Sequence, residues 1–227
     1  MQDIYFNIHS HRKKQQNDEF VIRNYIIPKA KTPAETLNYP LSVGIHPWFA
    51  DSNDLSSIQH LKKQAAAKNV IAIGETGLDR IRRENFNAQL ELFRIHLTFA
   101  EENQLPVIIH CVKAYSDILA ELNNIKTQVI FHDFNGNVQM MEQILNHSNA
   151  YFSLGKSLFA TDSKILKSIS HLPTNRIFLE TDTMPIEIQA VYEKFSTVKK
   201  IDLRELKAII QNNFQQVFTM KMCNHLF

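Results

Sequence analysis

The chain has 227 residues, 44% of them hydrophobic, enough to fill the core of a single domain spanning 1–227. A net charge of +2 excludes a dedicated coat for nucleic acid but leaves room for a nuclease with a local basic patch. The two cysteines, Cys111 and Cys223, make no disulfide framework, and no apolar run is long enough to span a membrane. The opening "MQDIYFNIHSHRKKQ" carries its charge on the wrong side of its apolar stretch for a secretory signal, so the expected compartment is the reducing cytoplasm.

Short apolar runs alternate with longer amphipathic ones. Strands are expected at "DIYFNI", "EFVIRNYII", "LSVGI", "VIAIGE", "PVIIH", "QVIFH", "AYFSLG" and "RIFLET". In "DLSSIQHLKKQAAAK", Leu55, Ile58 and Leu61 recur at helical spacing, with Asp54 as the N-cap. "FNAQLELFRIHLTFAEEN" puts Phe86, Leu90, Phe93, Leu97 and Ala100 on one face. "SDILAEL", "NVQMMEQIL" and "DSKILKSI" follow as helices, and "DLRELKAIIQNNFQQVF" closes the chain with Leu203, Leu206, Ile210, Phe214 and Val217 inward. Eight strands with helices between most of them predict the α/β class and a (β/α)8 TIM-type barrel, with a doubly wound open sheet as the alternative. The first crossover, "RKKQQND", is too short for a helix. The barrel is therefore expected to be somewhat distorted, with the second strand as a hairpin-like excursion.

Chemistry-bearing residues fall where the strands end. Side chains alternate faces along a strand, so His9 and His11 point the same way. Alone, such a pair fits one core and one surface histidine as well as it fits a metal site, because a metal needs further ligands from elsewhere. The other strand ends supply them: His46 in "GIHPW", Glu75 and Asp79 in "GETGLD", His110 in "IIH", His132 in "IFHDFNG", and Glu180 and Asp182 in "FLETD". Catalytic groups of a barrel gather at that mouth. Burying so many charged and imidazole groups together without a cation would be costly. Four histidines (His9, His11, His110, His132) and two carboxylates (Glu75, Asp182) exceed one tetrahedral zinc and suit two divalent cations about 3.5–4 Å apart, Mg, Mn or Zn, with Co and Ni also open to a ligand set without thiolate. Such a pair activates water for hydrolysis of a phosphoester, an amide or a lactone, and the spacing leaves the three open.

The ordered set "HSH", "GIHPW", "GETGLD", "QLELFRIHLTFAEENQLPVIIHC", "FHDFNGN", "YFSLG", "FLETD" and "NNFQQVF" resembles the TatD family of metal-dependent deoxyribonucleases, within the amidohydrolase-like barrels. The resemblance implies a distorted (β/α)8 barrel, two divalent cations and phosphodiester hydrolysis, often as a DNA exonuclease. By position it implies that His9 and His11 hold one cation with Asp182. Glu75 bridges both cations, and His110 and His132 complete the second. It also implies that Asp182 steers the attacking water as general base, which makes Asp182 and Glu75 the catalytic carboxylates.

The chain departs from the family pattern in places. Asn7 stands where the family commonly has an aspartate, at a position that tunes the ligands rather than ligating. Asp79 is expected to hold a loop or a ligand histidine, and Glu180 to lie behind the ligands or to be buried and paired. "CVKA" puts Val112 in place of an arginine, and Lys113 offers only a point charge. "ETDTMPI" replaces the usual Ala-Pro-Tyr-Leu, and "EIQAVYEKF" enters a helix directly. His46 suits a substrate phosphate or a packing role equally. Within the cluster Arg80, Arg82 and Arg83, Arg82 matches a frequent family arginine, and Lys156 is a second phosphate candidate. His60, His96, His147, His171 and His225 are expected to be structural or exposed. Cys111 alternates to the strand face opposite His110, so it is no nucleophile.

The expected function is a divalent-metal-dependent hydrolase of phosphodiester bonds: a deoxyribonuclease of exonuclease type that uses a two-metal-activated water, with DNA as substrate. Neither a membrane nor a stable protein partner is expected. A small-molecule amidohydrolase or phosphoesterase on the same site is the alternative, favoured by the trimmed substrate-facing segments. A non-catalytic metal-bound binding protein comes last, because all six ligands are retained.

Overall fold

The apolar runs become parallel strands in a computed structural model, which describes residues 4–12, 15–51, 54–147 and 149–222. Cys223 and His225 lie outside them. The strands are β1 (Tyr5–Ser10), β2 (Glu19–Ile27), β3 (Leu41–Ile45), β4 (Val70–Asp79), β5 (Val107–Val112), β6 (Val129–Phe131), β7 (Ala150–Leu154) and β8 (Ile177–Leu179). They stand in chain order in one eight-stranded sheet. Helices follow most strands: α1 (Leu55–Ala65), α2 (Phe86–Asn103), α3 (Tyr115–Glu121), α4 (Val138–Leu145), α5 (Lys164–Ser168), and after β8 both α6 (Ile188–Lys199) and α7 (Leu203–Met222). This is the (β/α)8 TIM-type class. The distortion lies early: between β2 and β3 the described residues hold only a 3-10 turn, Ala34–Thr36. The expected hairpin-like excursion is corrected. β2 pairs with β1 in parallel, Tyr5 opposite Glu19 and Phe6 opposite Phe20, with the Tyr5 amide donating to Asp18 O at 2.8 Å.

The chain divides into two compact units, Met1–Arg23 with Phe131–Thr219 and Asn24–Ile130 with Met220–Phe227. In the first, β1 is buried along its whole length. Phe6 packs on Phe20 and Phe214, with ring centroids 5.6 and 4.5 Å away. The Tyr192 hydroxyl accepts from the Phe6 amide and donates to the Phe6 carbonyl, both at 3.0 Å, tying α6 to β1. β8 pairs with β7, and Ser10 bridges in parallel to Asp182. On α7, Leu206, Ile210, Phe214 and Val217 are buried as the spacing predicts, while Leu203 is only half-buried.

In the second unit, all ten residues of β4 are buried, between β3 and β5. Two glycines make that fit possible. Gly74 and Gly77 take φ of +137° and +140°, and a Cβ on them would stand 2.5 Å from Ile108 O and 2.1 Å from His110 O. The helical stripes differ from the expected ones. On α1, Asp54 caps as expected, its Oδ1 accepting from the Ser57 amide at 3.0 Å, but Leu55 is 67% exposed. The buried side of α1 is Leu61, Gln64 and Ala65, because Gln64 Oε1 takes the Ala34 amide at 2.7 Å. On α2, Gln89 and His96 join Phe93, Leu97 and Ala100 inside, while Phe86 and Leu90 are half-buried. Both polar residues are there to bond buried backbone, which apolar periodicity does not register.

Candidate metal centre

In the first unit the ends of β1 and β8 are strapped through the backbone. The Asp182 amide donates to His9 O, and the His11 amide donates to Asp182 O, both at 3.0 Å. Asp182 takes φ of +47°, a left-handed conformation that aspartate tolerates better than most residues. The result brings both imidazoles to one carboxylate oxygen. His11 Nε2 lies 3.3 Å and His9 Nε2 3.7 Å from Asp182 Oδ1. Beneath them Asn7 works through its amide. Its Nδ2 donates to Glu19 Oε1 at 2.7 Å and to Thr181 Oγ1 at 2.9 Å, and its Oδ1 accepts the Thr181 amide at 3.1 Å. Thr181 in turn donates to Ser10 Oγ at 3.0 Å. Asn7 therefore locks the residue before Asp182 to the strand that carries His9.

His132 belongs to the same unit, its ring centroid 4.8 Å from that of His9. His132 Nδ1 lies 3.2 Å from Glu180 Oε1, which also accepts the Asp133 amide at 3.1 Å. Glu180 is wholly buried, and among the described residues its Oε2 has no hydrogen-bond partner. A carboxylate behind an imidazole fixes the proton on Nδ1 and presents the Nε2 lone pair, the usual arrangement behind a metal-binding histidine. Asp133, at φ of +40°, accepts the Ser157 amide at 2.8 Å. Burial, reinforced by the Glu180 charge, pushes its carboxyl above the ordinary range.

In the second unit Glu75 is the hub, 3% exposed. His110 Nδ1 lies 2.8 Å and His46 Nε2 3.2 Å from Glu75 Oε1. Asn24 holds the other side: its Nδ2 donates to Glu75 Oε2 at 2.9 Å, and its Oδ1 accepts the Glu75 amide at 3.1 Å. Asp79 Oδ2 accepts the Trp48 indole N–H at 2.7 Å and lies 3.6 Å from His110 Nε2. Burial by itself would raise the Asp79 carboxyl, but the hydrogen bonds from His110, Trp48 and the Ile81 amide outweigh it and hold the group well below the usual range. Gln89 receives the Asp79 amide at 2.7 Å. On α2, His96 Nδ1 lies 2.6 Å from Leu92 O, and its Nε2 accepts the Ile45 amide at 3.0 Å, one residue before His46. Burial holds the His96 ring down at about 4, so it stays neutral and can act as that acceptor.

These donors fit a divalent cation. His9, His11 and Asp182 bring three donor atoms within 4.8 Å of one another, and so do His46, Glu75 and His110. The sets hold imidazole nitrogen and carboxylate oxygen with no thiolate, which suits Zn, Mn or Mg. His46 differs from the rest. Its Nδ1 accepts the Trp48 amide at 3.1 Å, so the neutral ring carries its proton on Nε2, aimed at Glu75. In that state it is a hydrogen-bond donor, which leaves Glu75 and His110 as the groups of that unit that can offer a lone pair to a cation.

The remaining sequence candidates take distinct places. Arg82 is exposed, its guanidinium 5.3 Å over the Trp48 ring. Arg80 is committed to Asp117 by hydrogen bonds of 2.7 and 2.5 Å. Lys113 is exposed at φ of +53°, and Lys156 is exposed where it opens the 3-10 turn Lys156–Leu158. His60 and His171 are exposed and His147 is half-buried. Burial pushes the Cys111 thiol up, away from a reactive thiolate. Sequence reasoning missed Asn24, although an asparagine inside the apolar run "EFVIRNYII" is out of place by strand propensity.

A sequence profile of TatD related DNase matches residues 22–219. The chain belongs to this family. It is 29% identical over 219 residues to an uncharacterised metal-dependent hydrolase of Buchnera aphidicola from Acyrthosiphon pisum, covering 86% of this chain and 82% of that protein. It is 33% identical over 150 residues to the 3'-5' ssDNA/RNA exonuclease TatD of Yersinia pseudotuberculosis, covering 62% of this chain and 56% of that protein. The crystal structure of a TatD homologue from Escherichia coli K12 superposes with a TM-score of 0.85 at 21% identity, over 97% of this chain and all of that one, and so shares the fold. This TatD-family chain is thus a metal-dependent hydrolase of the (β/α)8 class. Among the described residues no helix is long and apolar enough to cross a membrane.

Proposed function

We propose that this chain is a single-domain cytoplasmic nuclease that hydrolyses phosphodiester bonds of DNA, as an exonuclease, with two divalent cations. The observation that carries the reading is the approach of His9 and His11 Nε2 to one oxygen of Asp182, at 3.7 and 3.3 Å. His9, His11 and Asp182 would hold one cation, Glu75 and His110 the other, with His132 a further imidazole ligand backed by Glu180. Bound there, the cations supply a lowered pKa for water and charge to stabilise the phosphorane oxygens. Asp182 accepts the proton of the attacking water. His46 donates its Nε2–H, and Arg82, Lys113 and Lys156 are the exposed cations for flanking phosphates. The name of the Yersinia relative supports a nucleic-acid substrate.

The test is a time course on 5'-labelled single-stranded DNA with Mg or Mn, with and without chelator, beside Asp182→Asn. A chelator-sensitive ladder that the variant lacks is the expected result, and its pattern gives the polarity. No cleavage at full metal occupancy would overturn it. One feature favours a second reading, a small-molecule amidohydrolase or phosphoesterase: Lys113 offers a point charge where a bidentate arginine would grip a phosphate. Faster turnover of nitrophenyl phosphate esters than of oligonucleotides would select it.

A further inference from the structure

Trp48 is the one tryptophan of the chain, and it is 51% exposed. An indole left in solvent is an unfavourable use of a large apolar ring unless something covers it. This one is also held still. Its backbone amide donates to His46 Nδ1 at 3.1 Å, and its indole N–H donates to Asp79 Oδ2 at 2.7 Å. Asp79 is 3% exposed, and its other oxygen accepts the Ile81 backbone amide at 2.9 Å, so one buried carboxylate holds the Trp48 indole and the main chain of the 63%-exposed Ile81. The Trp48 ring stands edge-to-face with His46 at 4.9 Å and 6.4 Å from the His110 ring, beside the Glu75 hub. A cation, Arg82, lies over it at 5.3 Å. Indole and guanidinium stay together in the open, next to ligands for a hydrolytic metal.

We propose that Trp48 and Arg82 form a stacking platform for an unstacked nucleobase of single-stranded nucleic acid, the base on the indole and the adjoining phosphate on Arg82. The proposal rests on the phosphodiesterase reading and narrows its substrate. Base faces are hidden inside a duplex and available in a single strand, so the platform selects single strands, and it does so with little regard to sequence because every base has a π-face. Because both ends of Trp48 are already tied, little side-chain freedom is lost when a base settles on it. Arg82 supplies the charge complementarity that a purely apolar partner would not need.

Since Trp48 is the one tryptophan, fluorescence excited at the red edge of indole absorption, beyond that of the six tyrosines, reports this position alone. The full chain is titrated in chelator, where no cleavage occurs, with a short oligothymidylate, an abasic strand of equal phosphate number and the annealed duplex. Fluorescence and the anisotropy of a labelled strand are read together. The expected result is quenching that saturates with the anisotropy curve for the single strand and is absent for the abasic strand. Trp48→Leu weakens single-strand binding about tenfold or more, and Trp48→Phe restores most of it. Arg82→Ala weakens binding and lowers its salt dependence while the quench at saturation persists. Binding with unchanged fluorescence, equal quenching by the abasic strand, or undiminished binding by Trp48→Leu would overturn the platform. If Trp48→Leu does not fold, the abasic and Arg82→Ala arms decide. Cleavage of bis(4-nitrophenyl) phosphate by the Mn-loaded wild type separates the two readings. Cleavage without quenching removes the platform alone, and quenching without any cleavage removes the phosphodiesterase alone.

Discussion

The two histidine–carboxylate groups are built by different means. Around Asp182 the geometry is set by main chain. Reciprocal amide bonds to His9 and from His11 place the three residues, and Asn7 secures the neighbouring Thr181. Around Glu75 it is set by side chains, with Asn24 on one oxygen and His46 and His110 on the other, and Asp79 and Trp48 around them. A main-chain scaffold tolerates a changed side chain, because its hydrogen bonds survive substitution. A side-chain scaffold does not, because each member is also another's partner. Damage should therefore spread further from the Glu75 group than from the Asp182 group.

The largest effect expected is on Glu75. Glu75→Gln should lower kcat/KM on a phosphodiester by about a thousandfold or more, near 4 kcal/mol, and reduce metal occupancy, with the circular dichroism of the fold intact. Full activity would remove Glu75 from the machinery. His96 comes next. Its folded pKa is depressed to about 4 from 6.5, so between those values the unfolded chain binds a proton that the folded chain refuses. Stability is then complete above about pH 6.5 and is lost as pH falls toward 4, by about 3 kcal/mol for this one group. Urea melts across that range should show the slope in the wild type and a flatter one in His96→Gln.

Two amide substitutions bear directly on the contrast. Asn24→Ala leaves a Glu75 oxygen and amide without their partner and should cost about 1–3 kcal/mol by denaturant melt, together with metal affinity by calorimetry. Asn7→Asp sets a carboxylate where Nδ2 now donates to Glu19 at 2.7 Å, and should cost about 1–2 kcal/mol, recovered on adding Glu19→Gln. If Asn7→Asp lowers metal affinity more than Asn24→Ala does, the contrast between the two groups is wrong. The smallest effect belongs to the exposed pair Arg80–Asp117. Arg80→Ala should move Tm by no more than about 2 °C despite its bidentate geometry.

Some of this was legible in the residues alone. Apolar runs at regular intervals specify the strands, because a parallel strand covered on both faces is largely apolar, as Val70–Ile73 of β4 is; the buried polar half of β4, with Glu75, Thr76 and Asp79, carries the site instead. Strand alternation places His9 and His11 on one face, and His132 and Asp182 stand just past the ends of β6 and β8 as the residues suggest, but Glu75 and His110 lie inside β4 and β5, which run on to Asp79 and Val112. What only the tertiary structure decided depends on partners distant in sequence. β2 pairs parallel to β1 rather than turning back, Gln89 and His96 face inward, and Leu55 faces out, each because of backbone groups supplied by other segments. Asn24 reaches Glu75 across 51 residues of chain, and Asn7 reaches Thr181 across 174. The same holds for His46: its donor state follows from the Trp48 amide on Nδ1, a turn that the residues "HPW" permit but do not impose. Periodicity and spacing report what a residue's own backbone does. A hydrogen bond between distant segments leaves no period behind, so only the folded chain shows it.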